Sequence, residues 1–156
     1  MKLKLLFLSA QGRIARSTWW VGIGGLILCD LLAFLVLWSV LGPSLVLNFF
    51  GRLVWFCVIA ANIYASYCLS AKRFQDRNRS ALNAKLVAGI WAAKALLDLF
   101  RITGSATVPT ALDEFFVLAG TAIALWYFIE LGWMEGSAGR NDYGDPPAEI
   151  VPPRRT

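Results

Sequence analysis

Four long apolar runs fill most of the 156 residues, and nearly all the positive charge lies in alternate gaps between them. Few folds accept that pattern. A helix crossing a hydrocarbon core needs about 20 mostly apolar residues, and only helices and closed barrels satisfy their backbone groups there. The runs are long and unalternating, so helices are expected at about 19–41, 53–71, 81–100 and 112–134. Gly42-Pro43 closes the first run. The third carries Lys85, Lys94 and Asp98, and its plainer alternative is an amphipathic helix lying in the interface. That alternative would make the number of spans odd and break the charge pattern, so four spans are expected.

Basic residues are retained on the cytoplasmic side of short loops. Lys2, Lys4, Arg13 and Arg16 precede the first run, Lys72, Arg73, Arg77 and Arg79 separate the second from the third, and Arg140, Arg154 and Arg155 follow the fourth. The other gaps hold Arg52 and Arg101, the latter together with Asp113 and Glu114. The expected fold class is therefore all-α: a polytopic, four-transmembrane-helix bundle over residues 1–144 with both termini cytoplasmic. The polar, proline-rich segment 145–156 is expected as a disordered tail. Lys2 and Lys4 before Leu5-Leu6-Phe7-Leu8 loosely imitate a secretory signal. The apolar stretch is shorter than the roughly 7–15 residues of a signal core, and Arg13 and Arg16 oppose translocation. The segment is expected to be retained as a short interfacial helix.

Composition agrees with a bilayer as solvent. Hydrophobic residues make up 58% and charged residues 16%, against roughly 45–50% and 25% in soluble domains. A soluble chain this short could not bury so much apolar surface. The absence of His removes the commonest general base and neutral metal ligand. Cys29, Cys57 and Cys68 are widely spaced within apolar runs and read as small buried apolar residues rather than a disulfide framework.

Ionisable groups inside a span are costly and mark functional hypotheses. Asp30 lies roughly 16 Å along the first run from Trp19, and Lys94 roughly 20 Å along the third from Ala81. Equal depth suggests an Asp30–Lys94 pair, which would spare both the penalty of unpaired burial. The same reasoning sets Glu130 near Lys85, and Asp98 near Arg52 or Arg101. Asp98 also stands four residues after Lys94 on one helical face. These pairs fix helix register, or Asp30 and Lys94 form a proton or ion relay, or the groups snorkel or are solvated in a crevice. Small residues at Ala84, Ala88 and Ala92, and at Gly120 and Ala124, have the spacing of close helix packing.

Three polar segments stand at the ends that the charge rule makes cytoplasmic: Gly12–Trp20, Lys72–Ser80 and Gly136–Pro146. The last is dense in Gly, Asn and Asp and is expected to form a tight turn. Together the segments resemble the bacterial inner-membrane family called domain of unknown function 805. Gly12, Arg13, Ile14, Arg16, Trp19 and Trp20 match its opening motif. Lys72, Arg73, Phe74, Asp76, Arg79 and Ser80 match its central one, and Gly136, Gly139, Asn141, Tyr143, Gly144 and Pro146 its closing turn. The central motif departs at Gln75, where the family usually has His, at Asn78, where it has Gly, and at Ala81-Leu82 in place of Gly-Trp. The resemblance implies a small multi-span protein of the bacterial inner (plasma) membrane and leaves its activity open.

Arg13, Arg16, Arg73, Arg77 and Arg79 supply the charge for a lipid-headgroup or anion site, with Asp76 and Asn141 orienting them and Tyr143 beside them. The plainer alternative is positive-inside anchoring with loop pairing, such as Asp76 with Arg13 or Arg79. Expected partners are anionic lipid headgroups, a second copy or another membrane protein. Nucleic acid is not expected, because topology accounts for the basic residues. No enzymatic activity, cofactor or metal is expected. The leading functional reading is a non-enzymatic structural or partner-binding membrane component, and the alternative is a small oligomeric transporter or channel using Asp30 and Lys94.

Overall fold

The computed structural model describes residues 3–104 and 108–147; the expected tail beyond 147 lies outside them. Among the described residues the chain is all-helical. α1 spans Leu3–Leu8, α2 Arg16–Leu41, α3 Ser44–Leu47, α4 Phe49–Asp76, α5 Leu82–Leu99 and α6 Ala111–Tyr127, which continues as a π-helical segment, Phe128–Trp133. Three helices, Arg16–Leu41, Phe49–Asp76 and Ala111–Trp133, are long and apolar enough to cross a membrane. The third apolar run is also a helix, α5, with Lys85, Lys94 and Asp98 along its 18 residues.

Local chemistry sets the ends. α6 begins with a capping box: the Thr110 hydroxyl accepts from the Asp113 N–H at 3.4 Å, and Asp113 Oδ2 accepts from the Thr110 N–H at 2.8 Å. α4 runs through Lys72 and Arg73 to Asp76, because nothing in that stretch breaks a helix. It stops at Asn78, which adopts φ 55°. The Arg79 N–H reaches Phe74 O at 2.9 Å and the Asn78 N–H reaches Gln75 O at 3.0 Å, the bond pair of a Schellman C-cap. Its left-handed position favours Gly and tolerates Asn, so Asn78 is a sound replacement for the family's usual Gly.

α4 is the hub and packs against α1, α2, α3, α5 and the π-helical segment. The core sits at its C-terminal end, where Ile14, Trp19, Leu69, Ala71, Phe74, Ala84 and Leu131 form one buried cluster. Elsewhere the helices are apolar outward: α2 buries only Trp19 and Gly22 along 26 residues. Val21, Ile27, Leu35 and Val40 of α2 and Val117, Leu118 and Leu125 of α6 are all exposed. Cys29 and Cys57 share that outer surface and only Cys68 is buried, which corrects the expectation for two of the three thiols.

Candidate functional site

Asp76, at the C-terminus of α4, is fully buried, and the structure gathers the three polar segments around it. Arg73, one turn earlier, lies on the same helical face and pairs with Asp76 Oδ2. Arg13 arrives from the segment before α2 and donates through Nε to Asp76 Oδ1 at 3.0 Å. Asp76 is 0% exposed and Arg73 1%, so two cations flank one carboxylate out of water. Burying charge is tolerable only when every group is hydrogen-bonded. Backbone carbonyls complete the set. Arg13 donates to Ser137 O at 2.6 Å, Gly139 O at 2.8 Å and Gly144 O at 3.0 Å. Arg73 donates to Leu131 O at 2.9 Å and to Met134 O.

The carbonyls of residues 130–134 explain why so many arginines converge here. The last carbonyls of a helix lack intrahelical partners and carry the negative end of its dipole. Each of these five receives a side-chain donor: Glu130 O from Arg77 at 2.9 Å, Leu131 O from Arg73, Gly132 O from Trp20 Nε1 at 3.2 Å, Trp133 O from Arg16 at 3.3 Å, and Met134 O from Arg73. The π-helical segment Phe128–Trp133 presents these carbonyls to the ends of α2 and α4. The same device recurs at α1, where Lys72 Nζ donates to Leu5 O and, at 2.8 Å, to Leu6 O, while Gln75 Nε2 holds Ala10 O at 3.0 Å.

The closing turn docks on the last backbone carbonyls of α4. The Ser137 N–H and hydroxyl both donate to Asp76 O at 2.9 Å, and Asn141 Nδ2 donates to Gln75 O at 2.9 Å. Asn141 Oδ1 accepts from the Tyr143 N–H at 2.9 Å, and the Asp142 N–H reaches Asn78 Oδ1 at 3.2 Å. Asn141 and Gly144 exchange hydrogen bonds at 3.1 Å, a tight turn that Gly144 closes at φ 118°. Gly136 lies against the ion cluster: a Cβ there would stand 1.9 Å from Asp76 Oδ2.

Several expected pairings are corrected. Lys94 does not meet Asp30; it pairs with Asp98 at 2.7 Å and lies over the Phe116 ring at 5.8 Å. Asp30 of α2 has Asn62 of α4 as its polar neighbour. Depth alone could not foresee that α4 packs against both α2 and α5. Glu130 meets Arg77 and, at 3.0 Å, Arg79 rather than Lys85, which is exposed. Arg52 meets carbonyls, Leu99 O at 2.9 Å and Leu47 O at 2.8 Å, rather than Asp98. Arg79 therefore serves Glu130 and not Asp76, while Arg16 and Arg79 are the exposed arginines of the cluster. The roles of Ser137, Gly136, Lys72 and Trp20 depend on atoms of distant segments and have no signal in the sequence.

The geometry can hold chain segments together with fixed charge. A family model described as "Protein of unknown function (DUF805)" matches residues 7–145. The chain is 26% identical over 152 residues to "Uncharacterized protein YiiR" of Escherichia coli strain K12, covering 96% of this chain and 93% of that protein. The corresponding protein of Escherichia coli O157:H7 matches to the same extent. No solved structure matches the chain. With the match running from α1 through the closing turn, the chain belongs to the DUF805 family.

Proposed function

We propose that this is a polytopic protein of the bacterial inner membrane, with α2, α4, α5 and α6 crossing and with both termini and the Asp76 cluster on the cytoplasmic side. It acts as a non-enzymatic structural or partner-binding component. The observation that carries the reading is the spacing of charge on α4. Between Arg52 and Lys72 the helix has no charged residue, and Arg52 to Arg73 spans about 32 Å at 1.5 Å per residue, close to the roughly 30 Å of a hydrocarbon core. α5 supports a fourth span: Ala84 packs in the core beside Phe74, and Leu99 meets Arg52 at the other end of α4. Its 18 residues rise about 27 Å, a little under the thickness of the hydrocarbon core.

In this arrangement Arg13 and Arg73 are internal fasteners whose donors are taken by Asp76 and by carbonyls. Anionic headgroups meet Arg16 and Arg79, which face outward. The test is labelling by a membrane-impermeant maleimide in a background lacking the native cysteines. Ile102→Cys should label in spheroplasts, and Arg140→Cys only after permeabilisation. If Ile102→Cys is protected until permeabilisation, α5 does not cross and the four-span reading falls.

A further inference from the structure

At the end of the bundle away from Asp76, a cavity of about 570 Å³ opens between α3, α4, α5 and the turn after α5. Small-molecule sites occupy roughly 300–1,000 Å³. On α4 its lining residues are Arg52, Trp55, Phe56 and Ile59, at i, i+3, i+4 and i+7, one helical face descending about 10 Å from Arg52. Ala95 on the opposite wall leaves room between α4 and α5. The polar groups, Arg52, Asp98, Arg101 and Thr103, lie at the outer end. The slot is therefore charged at its mouth and apolar along its depth.

Neither carboxylate at the mouth serves its arginines: Asp113 accepts from the Gly104 N–H at 2.8 Å. Asp98 is occupied by Lys94 at 2.7 Å and by the Thr103 hydroxyl at 2.5 Å. Neither Arg52 nor Arg101 forms an ion pair among the described residues; Arg52 donates only to carbonyls there. Arg101 is also out of place by conformational preference. It sits at φ 58°, in a C-cap where its N–H meets Asp98 O at 3.2 Å and the Ile102 N–H meets Leu97 O at 2.9 Å. That position suits glycine, and a side chain there is strained. Strain of this kind persists where the surrounding structure holds it, here the cap hydrogen bonds, and it clusters at functional sites.

We propose that this slot binds an anionic amphiphile, with its chain along Trp55, Phe56 and Ile59 and its phosphate or carboxylate on Arg101 and Arg52. Guanidinium groups recognise such oxyanions through paired N–H donors. The reading is independent of the Asp76 cluster and of which face of the membrane each end meets.

The test uses the full chain in a neutral detergent, with binding of dodecyl phosphate read by native mass spectrometry. Arg101→Gly should weaken binding about tenfold, the worth of one charge-assisted hydrogen bond, while the melting temperature holds or rises because glycine suits the position. Arg101→Lys should retain most of the binding, and Ile59→Trp should block it by filling the slot. Displacement by phosphatidylglycerol would identify bilayer lipid as the source, and its failure a free single-chain amphiphile; both support the site. Equal binding by wild type and Arg101→Gly overturns the proposal. So does saturation by inorganic phosphate alone, or undiminished dodecyl phosphate binding in a folded Ile59→Trp variant. If Ile59→Trp does not fold, the comparison of Arg101→Gly with Arg101→Lys decides.

Discussion

Arg73 of α4 donates through Nε to the Leu131 carbonyl at 2.9 Å, so a buried cation of one helix caps the C-terminal end of another. The same guanidinium holds Asp76 three residues further along its own helix. One side chain thereby ties the middle and closing segments together, and Arg13 adds the opening one through Asp76. The positive charge of these segments thus fastens the helix ends.

Asp76→Asn should be among the most damaging single changes. It leaves the Arg13 and Arg73 charges buried without their carboxylate, and breaking a buried pair costs about 3–5 kcal/mol. Thermal unfolding of the purified protein should show a large loss. Arg73→Lys should also destabilise, since an ammonium cannot span Leu131 O, Met134 O and Asp76 at once.

Gly136→Ala tests the closeness of the closing segment. The added Cβ would stand 1.9 Å from Asp76 Oδ2, so the turn must move away. The expected cost is about 1–3 kcal/mol, as for other overpacked sites, in the same unfolding assay. Gly139→Ala, with nothing within 4 Å of the new methyl, should differ little from wild type.

Asn78 separates conformation from contact. Asn78→Val places a β-branched residue at φ 55° and should cost about 1–2 kcal/mol. Asn78→Gly relieves the backbone but loses the acceptor for the Asp142 N–H, so it should fall near wild type. Equal stability of the Val and Gly variants would mean that the left-handed cap does not form.

Lys94 and Asp98 form an i,i+4 pair, worth about 0.2–0.5 kcal/mol. A double-mutant cycle between them should return a coupling of that size. The corresponding cycle between Asp30 and Lys94 should return none. Appreciable coupling there would restore the cross-helix pair that equal depth suggested.

The run lengths and charge spacing in the sequence were enough to place helices where the four apolar stretches stand, because both depend on composition along one chain. Gly42-Pro43 and the Asn/Gly-rich closing turn were legible for the same reason. The partners of Asp30, Lys94 and Glu130 were not, since they depend on which helix lies between which. Depth equates Asp30 with Lys94, but α4 brings Asn62 to Asp30 instead. The central segment is charged and so marks the gap between two runs, yet its first half, Lys72–Asp76, is the last turn of α4, where Lys72 and Arg73 cap the ends of other helices. Carbonyl acceptors carry no sequence signature, so the commonest partners of these cations were invisible until the helix ends were placed.

Arg13 and Asp76 fasten the opening and closing segments to α4. The decisive measurement is a double-mutant cycle with Arg13→Ala and Asp76→Asn, read as unfolding free energy of the purified protein in neutral detergent. Each single change should destabilise, and the pair should couple by about 2–3 kcal/mol, the upper range for directly interacting residues. Additive effects, or single variants as stable as wild type, would contradict this fastening.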